Sequence, residues 1–206
     1  MIDDLYTYRS YAGCVSEGYR FLAGNLWMVC KVMVPYFLVL SLLCVLSNAV
    51  NTHANVAILA GEEIDVTEVI AAVVLAVLCL TAYVVAMVRL YRMFKGVCGI
   101  KGKRTIRWGG VMKTIFLHLG KVVGTTLLSL FVCFVLSMVV YLPYVVSTYA
   151  YFSSVEGKVN FGDTALIPIS GYVMMVVACT VCYTIINILS VGFYASLMFL
   201  YGSVRK

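Results

Sequence analysis

A chain of 206 residues that is 63% hydrophobic and only 12% charged falls outside the range of soluble domains, which run about 45–50% apolar and about 25% charged. A net charge of +6 would point to nucleic acid in a soluble protein, but here the Lys and Arg residues are gathered between long apolar runs. That is the pattern that orients a membrane protein, and nucleic acid is excluded as a partner. The expected fold class is an all-α integral membrane protein, a single membrane domain over 1–206, with four transmembrane helices in two hairpins. Each hairpin is expected to follow an amphipathic interfacial helix.

Residues 5–26 are too polar to cross a bilayer. Tyr8, Ala12, Val15, Tyr19, Leu22 and Leu26 recur at steps of three and four and so share one helical face. Arg9, Ser10, Gly13, Glu17, Arg20 and Gly24 fall on the other side. Such a helix lies in the headgroup region with its apolar stripe toward lipid or toward the bundle. No basic n-region precedes it, because Asp3 and Asp4 stand in that place, so the first span is expected to act as its own targeting signal.

The first span is read as 27–48. Trp27 serves as a headgroup anchor, Lys31 is near enough to the surface to snorkel, and Pro35 removes an amide donor early in the helix. Asn48 to Glu68 has four carboxylates, Glu62, Glu63, Asp65 and Glu68, and no Lys or Arg. Their spacing matches no calcium loop, so a solvated loop is expected there. The second span, 69–88, is twenty residues without a charge, which at about 1.5 Å per residue crosses a hydrocarbon core of about 30 Å.

Arg89 to Lys121 is the basic centre of the chain. It holds nine of the fifteen Lys and Arg residues and no Asp or Glu. We read 89–121 as a cytoplasmic hinge containing the second interfacial helix, with Trp108, Met112, Ile115 and Leu119 as its apolar stripe and His118 on its polar side. Lys101, Lys103, Arg104, Arg107, Trp108 and Lys113 combine clustered positive charge with an aromatic anchor, the composition expected where a segment binds anionic head groups or a partner.

The third span is read as 122–144, with Gly124, Ser129 and Ser137 as small interface residues and a belt of Tyr141, Tyr144, Tyr149 and Tyr151 beyond them. A short far loop follows over 152–163. The fourth span is read as 167–190. The forty-one residues from Thr164 to Val204 carry no charge, more than one crossing needs. Either the helix tilts and projects beyond the bilayer or it bends near Gly192; the favoured reading has the crossing end near Ser190, with 191–206 as an aromatic and basic tail along the interface. With this topology fourteen of the fifteen Lys and Arg lie on one side and only Lys158 on the other. Lys and Arg are retained in the cytoplasm, so both termini are expected there.

Eight cysteines would suit a disulfide framework in a secreted protein, yet neither segment placed outside contains one. They are expected to act as small buried hydrophobes. Cys179 and Cys182 have metal or redox spacing, but no His, Asp or Glu lies near them in the span. No P-loop, zinc HExxH or nucleophile-elbow motif occurs, and Asn187 is the most polar residue of the fourth span. No metal or cofactor is expected.

Between Ser16 and Leu43 the chain resembles small multi-spanning bacterial membrane proteins related to the membrane domains of glycerophosphodiester phosphodiesterases. Phe21, Leu22, Asn25 and Pro35 carry the likeness. The resemblance implies a bacterial cytoplasmic membrane protein, and no activity, because the chain has no phosphodiesterase domain. The expected function is non-enzymatic: a partner subunit, homo-oligomer or lipid-interacting factor. A small transporter subunit is the first rival, and an enzyme acting on lipid head groups through His118, Arg107 or Lys113 is the second.

Overall fold

The computed structural model describes residues 8–59, 66–97, 118–160 and 169–204. These residues form five helices: α1 (Tyr11–Gly24), α2 (Leu26–Leu59), α3 (Val66–Val97), α4 (Leu119–Asn160) and α5 (Ile169–Val204). Four segments are long and apolar enough to cross a membrane: Leu26–Val50, Val66–Gly96, Leu119–Val146 and Val173–Ser203. This is the architecture of a multi-pass integral membrane protein.

The helices run past the boundaries that polarity alone marks. α2 continues beyond Asn48 and α4 beyond Tyr144, through what reads as a far loop from 152 onward. No Gly or Pro occurs from 48 to 59 or from 144 to 156. Polar side chains end a membrane crossing without ending a helix, because helix propensity differs little among most residues. Of the two readings of the stretch after 190, helix continues through it, since α5 runs without a break to Val204. Gly192 is a point of contact with another helix, as described below. The second interfacial helix lies outside the described residues as far as 117, and its expected last residues, Leu119 to Lys121, belong to α4.

Pro35 and Pro143 sit inside α2 and α4. Each withdraws the amide that would bond the carbonyl four residues earlier, and such interruptions are tolerated in spanning helices where neighbours and local adjustments take up the freed group.

α1 is set by local signals at both ends. Ser10 has extended backbone (φ −66°, ψ 166°), and its hydroxyl accepts from the Gly13 amide at 3.2 Å, the geometry of an N-cap. At the other end the Asn25 amide bonds the Phe21 and Leu22 carbonyls, and its Nδ2 donates to the Phe21 carbonyl at 2.9 Å. Asn25 is the entire junction, since α2 begins at Leu26. Phe21 and Leu22 are thus buried in the packed face of α1, and Asn25 closes the helix.

The chain divides into two compact units. The first takes residues up to 33, 88–137 and 187–206; the second takes 34–87 and 138–186. Each of the four long helices contributes to both. Much of the core belongs to the first unit, where Cys14, Val15, Phe21, Leu22, Val29, Leu90, Phe94, Val191, Ala195 and Leu200 are buried. The second unit buries Phe37, Leu40, Ser41, Val45, Ala86, Cys179 and Thr184, while α3 exposes Val69, Ile70, Val73, Val74, Val77 and Leu80. Exposed aliphatic side chains in such a run suit a hydrocarbon solvent.

Candidate functional site

Within the first unit, α1 packs against three other helices. Its buried face is Cys14, Val15, Gly18, Phe21 and Leu22. Val15 and Leu22 belong to the stripe expected from spacing, whereas Ala12 and Leu26 of that stripe are exposed. The face is rotated so that Gly18 lies on its centre line. The reason is steric. A Cβ on Gly18 would stand 2.5 Å from the Ser196 amide nitrogen and 2.8 Å from the Gly192 carbonyl oxygen, both α5 backbone. A Cβ on Gly192 would meet the Tyr19 ring at 2.7 Å. Two helices can approach this closely only where both lack side chains. Ser196, one turn beyond Gly192, donates to the Gly192 carbonyl at 2.8 Å and lies 3.5 Å from the Val15 carbonyl.

The remaining α1 contacts are aromatic. Phe21 meets Phe94 of α3 with ring centroids 5.3 Å apart, and the Tyr19 hydroxyl reaches the Ser129 carbonyl of α4 at 3.4 Å. Burial, more than any neighbour, pushes the Tyr19 phenol up to about 12.

A polar cluster forms where the residues preceding α1 meet the start of α4 and the last turns of α5. The Ser203 hydroxyl accepts from the Arg9 amide at 2.9 Å and from the Lys121 ammonium at 2.7 Å. It lies 3.4 Å from the Arg9 carbonyl, to which it can donate. The Arg9 guanidinium lies over the Phe199 ring, 5.2 Å from its centroid, and the Lys121 ammonium lies over Tyr8 at 4.1 Å. Arg9 Nη1 is buried and has no hydrogen-bond partner. Cys14 faces both cations. They lower its pKa, but burial dominates and raises the thiol above its ordinary value, so it is a packed residue and not a reactive thiolate.

The charges of this unit are unbalanced. Every described Lys and Arg side chain (Arg9, Arg20, Lys31, Arg89, Arg92, Lys95 and Lys121) belongs to it. Its only described carboxylate is Glu17, which pairs with Arg20 at 3.5 Å.

The second unit has its own polar cluster. Tyr141 lies 5.1 Å from Tyr144 and 6.2 Å from Tyr183, centroid to centroid. Cys179 is buried beside Tyr141 and Tyr144, and Asn48 is near Tyr183. Cys182 Sγ donates to the Val140 carbonyl at 3.7 Å. Phenols and thiols thus gather at one place between the helices, a structural use of polar groups in an apolar medium. Cys44 of α2 and Cys79 of α3 are neighbours, and neither is in a disulfide.

Of the residues singled out from spacing, Lys101, Lys103, Arg104, Arg107, Trp108 and Lys113 lie outside the described residues. His118 is exposed just before α4. Asn187 accepts at its carbonyl from the Ser190 hydroxyl at 2.7 Å. Among the described residues no group of three or more His, Cys, Asp or Glu side chains could hold a metal ion.

Comparison with family models, curated proteins and solved structures finds no match. Any functional reading therefore rests on the chain's own geometry and charge.

Spacing puts Arg9 on the polar face of the first helix and Lys121 at the end of the basic stretch, but nothing in the sequence joins either to Ser203. Arg9 and Ser203 are 194 positions apart, and neither belongs to a charge run.

Proposed function

We propose that this protein is a non-enzymatic, lipid-interacting component of a bacterial cytoplasmic membrane, with both termini in the cytoplasm. Its four spans form two hairpins, α2–α3 and α4–α5, and α1 lies near the headgroup level with its buried face against the bundle. The observation that carries this reading is the confinement of all seven described Lys and Arg side chains to one compact unit. The positive-inside rule places that unit on the cytoplasmic side, where anionic head groups are concentrated. The stretch 95–121 adds Lys101, Lys103, Arg104, Arg107 and Lys113 at about 1 kcal/mol of attraction per cation near such a surface, and Trp108 supplies an aromatic anchor.

The test uses the full chain in nanodiscs of mixed neutral and anionic phospholipid. Lipid drawn into the discs with the protein is measured at low and high salt. We expect anionic enrichment that weakens with salt and falls in the Lys101→Gln/Lys103→Gln/Arg104→Gln/Arg107→Gln variant. Identical lipid composition around parent and variant would reduce these charges to topology signals.

A further inference from the structure

We propose that Arg9 and Lys121 form a binding site for a single phosphate group, that of an anionic phospholipid head group, at the last two turns of α5. This rests on the lipid-interacting role above and deepens it from a diffuse attraction to one defined position.

Phe199 and Ser203 are four residues apart on α5 and therefore neighbours on one helical face, with Cβ atoms about 5–6 Å apart. One cation is seated on each: the Arg9 guanidinium over Phe199 and the Lys121 ammonium on Ser203. Two like charges held on adjacent turns repel, a cost that a bound anion would offset. The one described carboxylate of the unit, Glu17, is already engaged with Arg20. The Ser203 hydroxyl has used both its acceptor positions on the Arg9 amide and Lys121, so it anchors the site and cannot neutralise it.

Arg9 Nη1 supplies the second observation. It is shielded from solvent and bonds nothing, and a buried charged donor without a partner is among the more expensive defects a fold can hold. A guanidinium fork matches tetrahedral phosphate oxygens, and an ammonium adds a point charge with spare protons. Lys121 donates one of its three protons to Ser203. Tyr8 and Tyr11 are exposed beside it, Tyr8 under the Lys121 ammonium and Tyr11 against Gly124. Such rings suit the level of the glycerol backbone. Asp3 and Asp4 are the competing source of negative charge, five to six residues before Arg9 in the sequence.

The experiment is native mass spectrometry of the full chain in detergent, titrated separately with phosphatidylglycerol, with diacylglycerol and with inorganic phosphate. The parent should retain one phosphatidylglycerol and no diacylglycerol. Arg9→Gln and Lys121→Gln should each lower that retention about fivefold, and Lys121→Arg, which keeps the charge, should retain it. Displacement of the lipid by millimolar phosphate would assign the site to phosphate from either source; persistence of the lipid would assign it to the head group. The variant neutralised at Lys101, Lys103, Arg104 and Arg107 should keep this single lipid while losing salt-dependent enrichment, so the two proposals fail separately. Equal retention by parent and the Arg9→Gln/Lys121→Gln variant would overturn the site. So would a parent that binds neither phosphatidylglycerol nor phosphate but begins to bind when Asp3 and Asp4 are changed to Asn.

Discussion

Gly18→Ala adds one methyl group to the face where α1 meets α5, and the structure sets its cost. The new carbon would lie 2.5 Å from the Ser196 nitrogen and 2.8 Å from the Gly192 oxygen. Both are backbone atoms of a continuous helix, so no rotamer change relieves the contact. Ordinary van der Waals separations of about 3.5–4.0 Å require the helices to part by about 1 Å, which forfeits a quarter to a half of the dispersion between facing atoms. Overpacking of this kind costs about 1–3 kcal/mol, while Ala in place of a helical Gly returns at most about 1 kcal/mol. With the full return the net loss of α1 docking is about 1 kcal/mol at the middle of that range and about 2 kcal/mol at its upper end. The assay is maleimide labelling of Cys14, a fully buried thiol on α1, in a variant that keeps Cys14 as its only cysteine. Labelling that proceeds through transient opening should accelerate about fivefold to thirtyfold. Gly24→Ala and Gly120→Ala are the controls, because a Cβ at either meets nothing within 4 Å. Unchanged labelling in Gly18→Ala, or an equal acceleration in the controls, would refute the close approach of α1 to α5.

The other consequences concern the two ends and the middle of α1. Ser10→Ala removes the hydroxyl that accepts from the Gly13 amide and should cost about 1 kcal/mol of helix stability, seen as faster proteolysis before residue 24, with Ser10→Asp close to the parent. The Tyr19 phenol, pushed up to about 12, favours the neutral form in the folded state. Its contribution is therefore complete below the ordinary phenol value near 10 and is lost as pH rises toward 12. Unfolding in detergent should show a smaller loss of stability across that window in Tyr19→Phe than in the parent, and equal losses would assign the alkaline sensitivity to other groups.

The four apolar crossings are legible because hydrocarbon imposes its requirement locally: a run of apolar residues of sufficient length must be present wherever a helix crosses. The helix ends are less legible. Asn48 and Phe152 mark a change of solvent, and a helix does not have to stop at one. Gly192 shows the limit clearly. Alone, a Gly in a long apolar run reads as a break; beside Gly18 and Tyr19 it is the place where two backbones meet, and only the fold supplies that neighbour. The same holds for Tyr141 and Tyr144, which look like a surface belt from sequence position yet meet each other, with Tyr141 also edge-on to Tyr183 of α5. Arg9, Lys121 and Ser203 come from three distant segments, so periodicity could not have joined them.

Orientation is the claim on which the lipid reading depends, and cysteine accessibility tests it most directly. In a background without native cysteines, Glu63→Cys and Lys103→Cys are each treated in intact cells with a maleimide that cannot cross the membrane. The four-span arrangement with cytoplasmic termini predicts labelling at 63 from outside and labelling at 103 only after the cells are opened. Labelling at 103 in intact cells, with 63 protected, would contradict it.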